Sequence, residues 1–68
     1  MITLQDLNNI IGVDLNSVDE NSTMIELGVD SFKLMQLVGF IEENTTHRIS
    51  EDKMYTITVK DVKKLIYG

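Results

Sequence analysis

Ser31 is the residue whose setting in this sequence indicates the clearest chemistry. It follows Gly28 and Asp30 in the run LGVDSF, residues 27–32, and opens a stretch with the apolar spacing of a helix. A hydroxyl in the first turn of a helix lies beside unpaired backbone N–H groups and the positive end of the helix dipole. These groups stabilise a phosphate attached to the hydroxyl oxygen. We therefore interpret Ser31 as an attachment point for cargo, not as a catalytic nucleophile.

The neighbours of Ser31 disfavour hydrolytic chemistry. Residues 28–32 read GVDSF, which lacks the second glycine of a nucleophile elbow, and His47 is the only imidazole available as a base. With no cysteine there is no disulfide or thiolate chemistry, and one histidine provides no metal-ligand cluster. The sequence therefore predicts a protein that is not an enzyme, with no catalytic residues and no metal site. We expect His47 to lie at the surface.

The charge of the chain is uneven. The net charge is −5; residues 1–32 hold six acids and no base, whereas residues 33–68 hold six bases and five acids. Nucleic-acid binding depends on clustered Lys and Arg, so we predict no nucleic-acid partner. The acidic half instead favours protein partners with basic surfaces. A modest basic group is interpreted as a solvated helix face: Lys53, Lys60, Lys63 and Lys64.

The length of 68 residues predicts a single domain over residues 1–68, able to bury about 60% of its unfolded surface. The longest apolar run is too short to span a membrane, and the N-terminus lacks the features of a signal peptide. We therefore expect a soluble, cytoplasmic protein with no membrane partner.

Capping signals predict an all-α fold. A Thr-x-x-Asp variant of the capping box starts the first helix at Thr3 and the last at Thr58, each with apolar residues in the staple positions. Gly12 is expected to end the first helix. A second helix is predicted from about residue 30 or 31 to about 43 or 44, and a short one from Ser50 to near Tyr55. We predict a small four-helix bundle of three main helices and one short helix.

A long loop is predicted between the first and second helices. It spans nineteen residues, 12–30, and loops of this length in compact domains are generally functional or partly structured. Residues 19–22 are its expected exposed turn. Six apolar residues spread through it are predicted to contribute to the core: Val13, Leu15, Val18, Met24, Ile25 and Leu27.

The second helix has a wide apolar surface. Leu34, Leu37, Val38 and Ile41 recur in it at helical spacing. Further apolar or small residues extend beyond one narrow stripe, so part of this surface is expected to stay exposed for a partner. The alternative that each of these residues faces the core remains open. The residues concerned are Phe32, Met35, Val38, Gly39 and Phe40.

In length, order of elements and the motif LGVDS at residues 27–31, the chain resembles the acyl and peptidyl carrier proteins. The resemblance covers nearly the whole chain, with Phe32 where the family usually has Leu, and with ITV at residues 57–59 before the last helix. It implies that Ser31 receives 4′-phosphopantetheine from coenzyme A, donated by a phosphopantetheinyl transferase that needs Mg²⁺. Acyl or aminoacyl groups would then travel on the arm as thioesters. Asp30 is expected to cap the helix, to be recognised by the transferase, or both, and Gly28 to form the turn.

The resemblance also predicts a docking surface on the second helix, made of Phe32, Lys33, Met35, Val38 and Gly39, for the transferase and for loading and condensing enzymes. Such a shuttling carrier is expected to be a monomer.

Different parts of the motif resemble carriers of different pathways. Lys33 and Gln36 stand where carriers of fatty-acid synthesis commonly have acids, and SFKLMQL at residues 31–37 is similar to the SLKAMQL of peptidyl carriers. The VD before Ser31 instead matches acyl carriers. We therefore favour a free-standing carrier in nonribosomal peptide, polyketide or lipopeptide assembly. The alternatives are a carrier of primary fatty-acid synthesis and an unmodified helical adaptor that binds a partner helix.

Overall fold

A computed structural model describes residues 2–68 and confirms the all-α prediction. Its helices are α1 (Leu4–Ile11), α2 (Ser31–Asn44), α3 (Glu51–Met54) and α4 (Val59–Tyr67). In this part of the chain there is no β-strand, only one isolated antiparallel bridge between Thr23 and Thr58. None of the helices over residues 2–68 is long and apolar enough to cross a membrane.

The local capping signals determine where the helices begin. At α1 the Thr3 Oγ1 accepts a hydrogen bond from the Asp6 N–H at 3.2 Å, and an Asp6 carboxylate oxygen accepts from the Thr3 N–H at 2.9 Å. Thr58 and Asp61 form the same reciprocal pair at α4. Gly12 ends α1 with a φ of +73°. Each cap contributes about 1 kcal/mol, a substantial share of the stability of so small a domain.

The core includes contributions from all four helices and from the long loop. The prediction that the loop contributes is confirmed for Leu15 and Met24, which are fully buried, but it is wrong for Ile25, which is exposed. Val13, Val18 and Leu27 are partly buried against the core. The largest fully buried side chains are Leu7, Leu15, Met24, Leu34, Leu37, Ile41, Val59 and Val62.

The long loop is tied to the start of α4. Glu20 takes part twice: its carbonyl accepts from the Lys60 N–H at 2.9 Å, and its carboxylate pairs with the Lys63 ammonium at 3.1 Å. The loop is therefore fixed against the far end of the chain. Two further backbone bonds join the same segments, from Val59 N–H to the Ser22 carbonyl at 3.0 Å and from Met24 N–H to the Ile57 carbonyl at 3.2 Å.

Candidate functional site: the exposed serine at the start of α2

The chain enters the serine site through a single helical turn at residues 23–27. Thr23 begins this turn with a capping box of its own. Its N–H donates to a Glu26 carboxylate oxygen at 2.7 Å, and the Glu26 N–H donates to the Thr23 hydroxyl at 3.1 Å. The sequence analysis missed this box, although the signal Thr-x-x-Glu was present at residues 23–26.

Gly28 ends the turn and redirects the chain into α2. Its N–H donates to the Ile25 carbonyl at 3.0 Å, and the N–H of Val29 donates to the Met24 carbonyl at 3.1 Å, the bonding pattern of a Schellman motif. The φ of Gly28 is +85°, a left-handed value that a residue with a Cβ adopts only at a cost. The buried side chain of Val29 then anchors the segment directly before the serine.

Asp30 caps α2, as one of its two predicted roles requires. Its backbone is extended, and its Oδ1 accepts a hydrogen bond from the Lys33 N–H at 2.8 Å. Within residues 2–68 its other carboxylate oxygen, Oδ2, has no hydrogen-bond partner. Asp30 is exposed, so that oxygen faces solvent.

The first turn of α2 leaves two backbone donors free around Ser31. Within the described chain, the backbone N–H groups of Ser31 and Phe32 make no hydrogen bond, and helical geometry offers them no intrahelical partner. The first turns of α1, α3 and α4 each contain an acid, whereas that of α2 contains none. Ser31 itself is exposed. An anionic group on the Ser31 oxygen would therefore meet free N–H donors, and the carboxylate nearest to it in the chain is that of the cap Asp30, which is bound through Oδ1 to the Lys33 N–H.

The predicted docking residues of α2 separate into exposed and buried ones. Phe32 and Met35 are 70% and 60% exposed, as expected, but the prediction that Val38 is exposed is wrong, because only 8% of it is accessible. Val38 lies four residues after Leu34 and three before Ile41, so it shares their buried face. Gly39 is half-buried and lines an open groove between α1 and α2, so its predicted exposure is confirmed only in part.

Lys33 is exposed, but its side chain reaches back over the end of α1. Its ammonium lies 3.7 Å from the place that a Cβ on residue 12 would occupy. A cation at that point is favourable because the carbonyl end of a helix is partly negative.

Ile25 is an exposed apolar residue that the sequence analysis assigned to the core. It is 45% exposed in the turn immediately before Gly28. The large exposed apolar residues near Ser31 in the chain are thus Ile25, Phe32 and Met35. The exposure of Ile25 depends on how the turn at residues 23–27 packs against the core, and the spacing of apolar residues in a loop does not specify that packing.

Comparison with models of known families gives one match, to the phosphopantetheine attachment site, over residues 4–66. The chain belongs to this family. Members of the phosphopantetheine attachment site family bind 4′-phosphopantetheine covalently, so the expected prosthetic group is confirmed at the family level. No curated protein sequence and no solved structure matches the chain significantly.

The serine site fits the prosthetic group of the phosphopantetheine attachment site family. The group is joined through a phosphate, and the start of α2 offers an exposed hydroxyl beside two free N–H donors. The residues that would hold the phosphate are Ser31, through its oxygen, and Phe32, through its backbone.

Proposed function

We propose that this chain carries acyl or aminoacyl intermediates on a 4′-phosphopantetheine arm attached to Ser31. The observation that supports this assignment is the exposed Ser31 hydroxyl at a helix start whose first turn has free N–H groups and no acid. A negative charge in such a position is stabilised by about 0.3–1 kcal/mol. When bound, the arm supplies the thiol that this cysteine-free chain lacks, and cargo is joined to that thiol as a thioester.

In this proposal the chain's own residues hold and present the attachment point, and they perform no catalysis. Gly28 sets the direction of the chain and Asp30 orders the first turn of α2 through Oδ1. The free Oδ2 of Asp30 is available for recognition by a phosphopantetheinyl transferase. Capping and recognition are therefore compatible, because they use different oxygens of one carboxylate.

We assign the docking of partner enzymes to the exposed apolar residues Ile25, Phe32 and Met35, called the docking face below. Exposed aromatic and methionine side chains are enriched where proteins associate. Lys33 lies beside this face in the chain, while Val38 supports it from the core side. The partners proposed are the transferase and the loading and condensing enzymes, which a monomeric carrier in the cytoplasm would meet in turn.

The surface of α2 favours a dedicated pathway over primary fatty-acid synthesis. Its exposed polar residues near Ser31 are Lys33 and Gln36, and its first turn has no acid. Basic partner enzymes would find no acidic stripe there. We therefore propose nonribosomal peptide, polyketide or lipopeptide assembly. The test compares two classes of enzyme, those of fatty-acid synthesis and those of the dedicated pathways, for transfer of malonyl or aminoacyl groups to the loaded chain. Efficient malonyl transfer by the fatty-acid enzymes alone would contradict this choice.

The test of the attachment is intact-mass measurement after incubation with coenzyme A and a promiscuous phosphopantetheinyl transferase. We expect the chain to gain one phosphopantetheine and Ser31→Ala to gain none. Ser50→Ala is the matched control, because Ser50 is another exposed serine at a helix start, and it should load like the unchanged chain. Absence of loading in the folded, unchanged chain would contradict the proposal and favour the unmodified adaptor.

A further inference from the structure

A second concave surface lies away from the docking face. It is a half-open cavity of about 450 Å³ between the connection from α2 to α3, α3 itself and α4. Its apolar lining comes from Ile57, which is buried, and from Ile49 and Leu65, which are partly buried. Neither Ser31 nor any residue of the docking face lines it. The cavity is therefore separate from the attachment point and from the docking face.

The rim of the cavity is cationic in a chain that is acidic as a whole. Arg48, Lys53 and Lys64 lie on it, half of the six basic residues of the chain, against one carboxylate, that of Asp61. Over residues 2–68 the only side-chain ion pair is between Lys63 and Glu20, so no rim cation forms a direct ion pair in this part of the chain, and Asp61 attracts Lys53 and Lys64 only at longer range. They are available to a carboxylate from outside.

The rim cations come from three different elements. Arg48 is held at the end of α2, because its Nη1 donates to the Glu42 carbonyl at 3.2 Å and to the His47 carbonyl at 2.9 Å. Lys53 lies in the last turn of α3 and Lys64 in the last turn of α4. The helix dipoles account for the two lysines individually, but they do not account for an apolar floor between the cations.

We infer that this cavity docks an acidic amphipathic segment of a partner protein, with apolar side chains on its floor and carboxylates at its rim. Charge complementarity supports this occupant, since the cavity combines three cations with an apolar floor in a chain whose net charge is −5. Cations on three elements suit several carboxylates spaced along a helix better than the single head group of a small anion. The inference does not depend on modification of Ser31.

The experiment is an NMR titration of the ¹⁵N-labelled full chain with a synthetic helical peptide. The peptide has leucines at positions i, i+3, i+4 and i+7 and glutamates on the flanks of that stripe. We expect saturable shifts of the amide signals at residues 47–49, 53, 57 and 61–68, and little change at residues 25–35. Binding should weaken as salt is raised, because the rim contacts are ionic. A peptide with lysine in place of each glutamate should not shift the cavity signals; any binding of it is expected at the acidic half of the chain.

Two lysines of α4 provide matched variants. Lys64→Gln removes a rim cation and should weaken binding about threefold to fivefold, as expected for one exposed ion pair. Lys60→Gln makes the same change one turn earlier on the same helix, where the side chain is exposed but does not line the cavity. It should leave binding unchanged. Circular dichroism of both variants checks that α4 is intact.

Three results would overturn the inference: no saturable shift, shifts centred on the docking face, or equal losses in Lys64→Gln and Lys60→Gln. Octanoate serves as a second probe. If it produced the same shifts and displaced the peptide, the cavity would be a site for a small amphiphilic anion and not for a protein segment.

Discussion

At the scale of single residues, Asp30 uses its two carboxylate oxygens in different ways. Oδ1 is bound to the Lys33 N–H at 2.8 Å, whereas Oδ2 is free within the described chain. The side chain thereby orders the start of α2 and still presents a negative charge to solvent beside Ser31. Residue type indicated the cap and the family resemblance implied the recognition by the transferase, and the geometry shows that the cap leaves one oxygen free.

Substitutions at Asp30 separate the two roles. Asp30→Ala should lower the free energy of unfolding by about 1 kcal/mol, because the cap is lost. Asp30→Asn should retain most of the stability, since asparagine caps about as well, yet it should be loaded more slowly by the transferase because the charge is gone. Urea denaturation and the rate of mass gain measure the two effects. Loading of Asp30→Asn at the original rate would show that the charge is not recognised.

The positive φ of Gly28 can be tested separately from any steric effect of a side chain at that position. This φ is +85°, and a Cβ at this position would meet nothing within 4 Å. Gly28→Ala should therefore destabilise the chain by about 1–2 kcal/mol through backbone strain alone. Gly39→Ala is the control, because that Cβ also meets nothing within 4 Å but the residue is helical, so alanine should stabilise the chain by up to about 1 kcal/mol. Equal effects in urea denaturation would contradict this explanation.

At the scale of elements, the sequence predicts helices well and the width of a buried face less well. The starts of α1 and α4 depend on side-chain bonds between residues three apart, so Thr3 and Thr58 identify them from local pattern. The burial of Val38 agrees with its helical spacing from Leu34 and Ile41 and not with the docking role that the family resemblance implied, whereas the exposure of Ile25 depends on how its turn packs against the core. Ser31 and Asp30 were identified because their motif is local in the sequence. The exposure of Ile25 was missed because it is not determined by neighbouring residues alone.

The two faces of α2 predict opposite results for one type of substitution. Met35→Asp should keep the helical signal and slow cargo transfer by the partner enzyme, because Met35 is 60% exposed. Val38→Asp should unfold much of the protein, since a charge buried without a partner costs several kcal/mol. Circular dichroism and a transfer assay distinguish them. Loss of helix in Met35→Asp would show that its side chain is needed by the core.

The capping box of α4 predicts sensitivity to acid. A hydrogen bond from the Thr58 N–H lowers the pKa of Asp61 from its ordinary 3.8, with further help from the Thr58 hydroxyl, Lys53 and Lys64. Because the pKa is lower in the folded state, its stabilising contribution is complete above the unfolded value and is lost as the pH falls through the folded value.

We therefore expect the stability contributed by Asp61 to persist down to about pH 5 and to decline below about pH 4. Asp61→Asn should show a smaller decline over that interval, because it has no carboxylate to protonate. Urea denaturation as a function of pH measures the difference. Asp14, whose pKa is lowered chiefly by the Ser17 hydroxyl, is present in both proteins. Its contribution to the decline is therefore the same in both and cancels in the difference between them. Parallel curves for the two proteins would contradict the prediction.

At the scale of the whole molecule, stability is limited by size. A domain of 68 residues buries only about 60% of its unfolded surface, so the loss of one core side chain is a large fraction of its stability. Leu37 is fully buried. Leu37→Ala should cost about 2–5 kcal/mol and leave a large unfolded population. Thermal and urea denaturation test this, with Gln36→Ala on the exposed side as the control; equal stability of the two variants would place Leu37 outside the core.

The bonds between the long loop and α4 affect the order in which the chain folds. The carbonyl of Ile57 and the N–H groups of Val59 and Lys60 complete the hydrogen bonding of residues 20–24. A chain that stops before residue 57 has none of these partners, and it also lacks the buried side chains of Ile57, Val59 and Val62. Contacts so distant along the chain form late. We therefore expect a chain truncated before residue 57 to expose more of its apolar side chains than the chain of residues 1–68.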